Sequence, residues 1–271
     1  MDRDSRSIGT VGHTDWTPGR GPVDHDEPMA FGFLDRFRRT TEPPRSTPAT
    51  RAAAERLAAW SWLDDDRRDR LVADGGTLAR ELRWEAAQGF DVDDEIRSTI
   101  AVHAALLTLE LGVDSYRNVS SVIVHPSTIE LHGEHSIGHG LVADEPVDLS
   151  GEAHHRGPVL IAWDTARYQA RHPDRGHNVI LHEFAHHLDM LDGWVDGMPP
   201  LRSRAQATEW QRVMTDEYER LRAASDEGRA TLLDEYGATN PGEFFAVATE
   251  FFFERSVELR ASSSGRPLKI P

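Results

Sequence analysis

Between Gly176 and Leu191 the chain reads GHNVILHEFAHHLDML, and few structures can accept this run. Val179, Ile180, Phe184, Leu188 and Leu191 recur at helical spacing. The segment therefore forms an amphipathic helix whose apolar stripe faces the core. The same helix carries His182, Glu183, His186, His187 and Asp189. Imidazoles and carboxylates are costly to bury without partners, so the fold must supply something for them to bind. Because an α-helix turns about 100° per residue, His182 and His186 project from one face, one turn apart. Two neutral imidazoles so placed can meet one divalent cation. His187 is rotated away from that face and is a poor ligand.

Glu183 follows the first of these histidines directly. A carboxylate there can lean toward an open position of the metal and take a proton from a water bound to it. Zinc lowers the pKa of such a water toward about 7, which makes hydrolysis feasible at neutral pH. A third protein ligand is required, and the chain contains no cysteine, so it must come from His, Asp or Glu. A histidine six residues after His186 would close the site within the same segment, but position 192 is Asp192, which leaves only a minor candidate there. The segment TNPGEFFAVATEFFFERS (239–256) reads as a later helix, with Asn240 as N-cap and Pro241 at the first helical position. It offers Glu243, Glu250 and Glu254. Glu243 also lies three residues after Asn240, where it can close a capping box. Periodicity does not choose among the three. Asp189, about one turn beyond His186, is placed to orient an imidazole or to lie on the surface.

The remaining chain reads as an α+β domain, mostly helical with a small sheet. Residues 51–88 are read as helical segments bearing Leu57, Trp60, Leu63, Leu71, Leu78, Leu82 and Trp84. From Asp94, the residues Ile96, Ile100, His103, Leu107 and Leu111 form a core stripe that Gly112 ends, with His103 as a hydrogen-bonded core histidine. SSVIVHP (120–126) and GPVLIAW (157–163) are β-branched, bounded by turn formers, and read as strands. Between them lies loop or hairpin material with His132, His135, His139, His154 and His155, read as solvated surface. EWQRVMTDEYERLRAA (209–224) is a further amphipathic helix. Residues 1–28 are polar and rich in Gly and Pro, a short amphipathic stretch follows from Met29, and 40–50 read as a linker, so residues 1–50 are expected to be a disordered extension and linker. Residues 51–256 form the domain, and residues 257–271 a flexible tail.

Lys and Arg number 30 against 46 Asp and Glu, a formal net charge of −16. Such a chain repels phosphate backbones and anionic lipid, which argues against nucleic acid or a membrane surface as partner. No apolar run approaches the length of a membrane span and the first residues lack a signal-peptide core, so a soluble cytoplasmic protein is expected.

GHNVILHEFAHHLDMLDGWVDGMPPL (176–201) and YGATNPGEFFAVATEFFFERS (236–256), preceded in order by IRSTIAVHAALLTLELG, SSVIVHP and LSGEAHHRGPVLIAWD, strongly resemble the Mlc titration factor A family. Its members are zinc-dependent bacterial peptidases whose active site is similar to that of the anthrax lethal factor catalytic domain. The resemblance covers roughly residues 55–256. It implies a zincin-like fold and a gluzincin-type site in which His182, His186 and Glu243 hold zinc, Glu183 is the general base and Tyr236 steadies the oxyanion. It implies aminopeptidase-like hydrolysis of short peptides, with the peptide added as a strand to a sheet edge. It also implies an alternative role, because the namesake sequesters the glucose repressor Mlc: an interaction protein that titrates a transcriptional repressor, with a mainly structural metal.

Overall fold

The computed structural model describes residues 46–127, 136–137, 141–142 and 157–262. The five loop histidines lie outside the described residues. Helix α1 (Pro48–Ala54) begins inside the segment read as a linker, capped by the Thr47 hydroxyl, which accepts from the Thr50 amide. Helix α2 (Asp65–Glu81) follows a short 3₁₀ turn and is capped by Asp64. The chain then leaves the helix. Trp84, expected to be helical, stands instead in β1 (Trp84–Ala86). A strand of three residues is too short to show alternation, and its partner lies almost forty positions away, so local spacing could not reveal it. The Trp84 indole N–H still reaches back to the α2 end, donating to the Ala79 carbonyl at 2.9 Å.

Helix α3 (Asp94–Leu107) is capped by Asp93 and buries Ile96, Ile100 and His103 as the stripe predicts. It ends at Leu107, five residues before the expected stop at Gly112, and Leu111 is exposed in the turn beyond. His103 Nδ1 lies 2.7 Å from the Thr99 carbonyl within the helix, which makes it the satisfied core histidine expected. Strands β2 (Val122–His125) and β5 (Val159–Ala162) fall where the sequence places them. Between them, β3 (Ser136–Ile137) and β4 (Leu141–Val142) pair antiparallel.

Strands β1, β2 and β5 form a parallel sheet in that order, with Val122 opposite both Trp84 and Val159. Parallel neighbours need crossovers, and α3 supplies the one between β1 and β2. Helix α4 (Trp163–Gln169) leaves β5 directly and leads to α5 (Val179–Asp189). Helices α6 (Arg204–Asp226) and α7 (Pro241–Glu254) follow. Ser256–Ser262 form a further short helix, α8, where a flexible tail was expected. Leu259 is buried there, an anchor that a seven-residue polar stretch hardly announces.

Helix α5 lies between two apolar clusters. Val179, Ile180, Phe184 and Leu188 enter the larger one with α2, α3 and the sheet. Ala185 enters the smaller one with Trp210, Met214, Tyr218, Phe244 and Phe245 of α6 and α7. Phe184 meets Tyr116 edge to face, ring centroids 4.9 Å apart. Each large apolar side chain so buried contributes about 1.5–3 kcal/mol, against about 1–3 kcal/mol for a buried polar group left unpaired. Packing can therefore hold α5 in place with His182 fully buried, provided that His182 is partnered.

Candidate metal centre

Asn178 starts α5: its side-chain oxygen accepts from the Leu181 amide, and its carbonyl receives the amide of His182. Asn240 starts α7 in the same way, accepting from the Glu243 amide at 3.0 Å, with Pro241 at the first helical position. Half of the expected capping box therefore forms. The Glu243 carboxylate does not fold back on the cap; it turns to α5.

There it meets both histidines. His182 Nε2 lies 3.0 Å from Glu243 Oε2, His186 Nε2 lies 3.4 Å from the same oxygen, and the two Nε2 atoms are 3.2 Å apart. Among the described residues, these three are the group whose donor atoms could hold one metal ion. Four donors at about 2.0–2.1 Å around tetrahedral zinc stand roughly 3.3 Å from one another. The observed triangle has that size. His182 is completely buried, whereas His186 and Glu243 keep 17% and 15% of their side-chain surface exposed. The centre is thus open on the His186–Glu243 side and closed behind His182.

The electrostatics ask for a cation. Burial works against protonation of His182, yet hydrogen bonds to Glu243 and Glu250, with Glu183 nearby, raise its pKa to about 10. Burial also works against ionisation of Glu243, but its hydrogen bonds to His182 and His186 hold the carboxyl well below the usual carboxylate range. A field that binds a proton this tightly also suits a divalent ion, which competes with protons for the same donors. Glu183, half-buried on the same helix, has its pKa raised by burial against the pull of His182 and His186.

Tyr236 lies in the 3₁₀ turn Glu235–Ala238, begun by Asp234, whose side chain accepts from the Tyr236 amide. Its ring centroid is 6.1 Å from that of His182. His182, His186 and Glu243 thus converge, with Glu183 and Tyr236 beside them.

Other candidates are set elsewhere. Glu250 and Glu254 are not in the donor triangle: Glu250 Oε1 lies 2.7 Å from His182 Nδ1, and Glu254 Oε1 accepts from the Asn178 side-chain amide at 2.6 Å. Asp192 Oδ1 accepts from the Trp194 amide. His187 is buried, with its pKa lowered to about 4 by burial, and a backbone hydrogen bond at Pro158 directs it toward the start of β5. Asp189 is fully buried and not a surface residue; its Oδ2 accepts from the Gly197 amide at 2.9 Å. No hydrogen bond joins it to His186, whose Nδ1 has no partner among the described residues. Asp189 braces the following loop rather than the imidazole.

The role of Glu250 was the feature that sequence reasoning left unassigned. Its one signal is the spacing from Glu243: seven residues return a helix to nearly the same face, two turns on.

The donor set could hold one metal ion, and the family to which the chain belongs is one of metallopeptidases. The chain belongs to the glucose-regulated metallo-peptidase M90 family, whose model matches residues 34–264. Similar proteins include an uncharacterized protein of Synechocystis sp., 36% identical over 207 residues, 76% of this chain and 75% of that protein. Two proteins named Mlc titration factor A, from Serratia proteamaculans and Edwardsiella ictaluri, are 30% and 33% identical over 218 and 221 residues, in each case 79% of this chain and 82% of the relative.

Proposed function

We propose that this protein is a zinc-dependent peptidase of the gluzincin type, acting on short peptides as an aminopeptidase, with His182, His186 and Glu243 as metal ligands. The observation that carries this reading is the triangle of Nε2, Nε2 and Oε2 atoms with edges of 3.0–3.4 Å, open to solvent on one side. Two imidazoles and a carboxylate suit zinc. Zinc bound there supplies a Lewis acid that polarises the scissile carbonyl and makes water acidic enough to deprotonate near neutral pH.

The protein's own groups do the rest. Glu183, with its raised pKa, takes a proton from the attacking water and delivers it to the leaving amine. Tyr236 donates its phenolic hydrogen to the oxygen of the scissile carbonyl as negative charge develops there.

The test is zinc analysis of the purified protein paired with hydrolysis of aminoacyl test substrates before and after chelation. One zinc per chain and activity lost on chelation, then restored by zinc, are expected. Full activity in metal-free protein would remove the reading.

The name of the relatives, Mlc titration factor A, supports a second reading: binding of a transcriptional repressor. A pull-down from the native host would show this partner retained by the Glu183→Gln protein, since binding needs no proton transfer. We place both activities in the cytoplasm, in keeping with the observation that no described helix is long and apolar enough to cross a membrane.

A further inference from the structure

The ring of His182 is held at both ends by one helix. Its Nε2 faces Glu243 at 3.0 Å and its Nδ1 faces Glu250 at 2.7 Å, and both carboxylates come from α7, two turns apart. Glu250 is 1% exposed, so solvent does not share its oxygens. Its second oxygen accepts the main-chain amide of Asn178, the residue that caps α5. The carboxylate is thus fixed by the start of the helix that carries His182, and it fixes His182 in turn. His186 has no equivalent: its Nδ1 is buried without a partner among the described residues.

We propose that Glu250 is a positioning residue that holds His182 with its proton on Nδ1 and its Nε2 lone pair turned to the metal, making His182 the anchoring ligand of the centre. This rests on the metal-site reading above. The physical grounds are general. An imidazole whose outer N–H donates to a carboxylate is locked in tautomer and ring orientation and becomes a more basic ligand. Loss of such a partner lowers metal affinity about 10–100-fold. Glutamine cannot replace Glu250, because the two donors lie at different carboxylate oxygens and the amide would set its NH2 group against either His182 Nδ1–H or Asn178 N–H. Glu254 provides the control. It is packed one turn further on and accepts from the side chain of the same Asn178 rather than from an imidazole.

The experiment measures zinc affinity by competition with a chromogenic chelator in wild type, Glu250→Gln and Glu254→Gln, with thermal unfolding of each metal-free protein. Glu250→Gln should weaken zinc about 10–100-fold, while Glu254→Gln stays within about threefold of wild type even where its stability falls. Wild-type affinity in Glu250→Gln, or an equal loss in both variants, overturns the proposal. Should Glu250→Gln fail to fold, the wild type decides alone: nitrogen NMR of zinc-loaded, histidine-labelled protein should show His182 with a slowly exchanging Nδ1 proton and a metal-bound Nε2. The reverse pattern, or no zinc bound, overturns it. Failure of the peptidase reading is seen separately, as wild type that binds zinc in this manner and hydrolyses no peptide.

Discussion

His182 Nε2 and Glu243 Oε2 stand 3.0 Å apart although 61 positions separate them in the chain. Nothing local brings them together; α5 and α7 meet because Ala185 of one and Phe244 and Phe245 of the other are buried in the same cluster. Replacing Glu243 by alanine should therefore abolish metal binding while leaving the helix intact, since the Asn240 cap uses the residue's amide and not its side chain. Zinc affinity should fall by more than about 100-fold, beyond the range of an outer partner, with helical circular dichroism retained. Stoichiometric zinc in this variant would deny Glu243 its place as a ligand.

Glu183→Gln should separate binding from chemistry. The amide keeps the size of the side chain and cannot accept the proton, so kcat should drop about 10²–10⁴-fold. Zinc content should stay at one per chain. The readout is turnover and metal analysis on the same sample, and undiminished turnover would remove Glu183 as base.

Tyr236→Phe removes one hydroxyl from a ring 6.1 Å from that of His182. Loss of a single oxyanion donor costs about 10²–10³ in kcat. The substrate KM should change little, because the bond forms only as charge develops. A change confined to KM would make Tyr236 a substrate-packing residue.

Gly197 has φ +75°, and a Cβ there would lie 2.6 Å from the Pro241 carbonyl oxygen. Its amide binds Asp189 and its carbonyl accepts the Trp210 indole N–H. Gly197→Ala should cost roughly 1–3 kcal/mol from backbone strain, more if the start of α7 must shift. Because Glu243 is two residues beyond Pro241, zinc affinity should weaken along with the melting temperature. A variant with wild-type melting and wild-type affinity would show that this contact does not position α7.

His103 is buried and its pKa is lowered to about 4, chiefly by desolvation, from an ordinary value of 6.5. The unfolded chain therefore binds a proton before the folded one does as pH falls. The neutral histidine contributes its full stability above pH 6.5, and that contribution is lost between about 6.5 and 4, amounting to about 3 kcal/mol. His103→Leu removes this dependence. Urea unfolding of both proteins at pH 7 and pH 4.5 should show the variant gaining on wild type at the lower pH; parallel losses would place the acid sensitivity elsewhere.

Much of this was legible in the sequence because it rests on periodicity within one element. The 3.6-residue stripe of α5 dictates that His182 and His186 share a face, and Asn240 with Pro241 announces the first turn of α7. Strands β2 and β5 were legible for the same reason, as β-branched runs between turn formers. What spacing could not decide is which of Glu243, Glu250 and Glu254 faces which atom of α5. All three lie on the α7 segment, and only the packing of α7 on α5 sets Glu243 on the inner nitrogen of His182, Glu250 on the outer one and Glu254 on Asn178. The strand at Trp84 and the turn of Asp189 toward Gly197 were hidden likewise, each made by a partner that no local pattern encodes. Helical phase is a property of neighbouring residues and can be read along the chain. The meeting of two faces depends on which apolar surfaces find each other in the folded molecule, and that the tertiary structure alone decides.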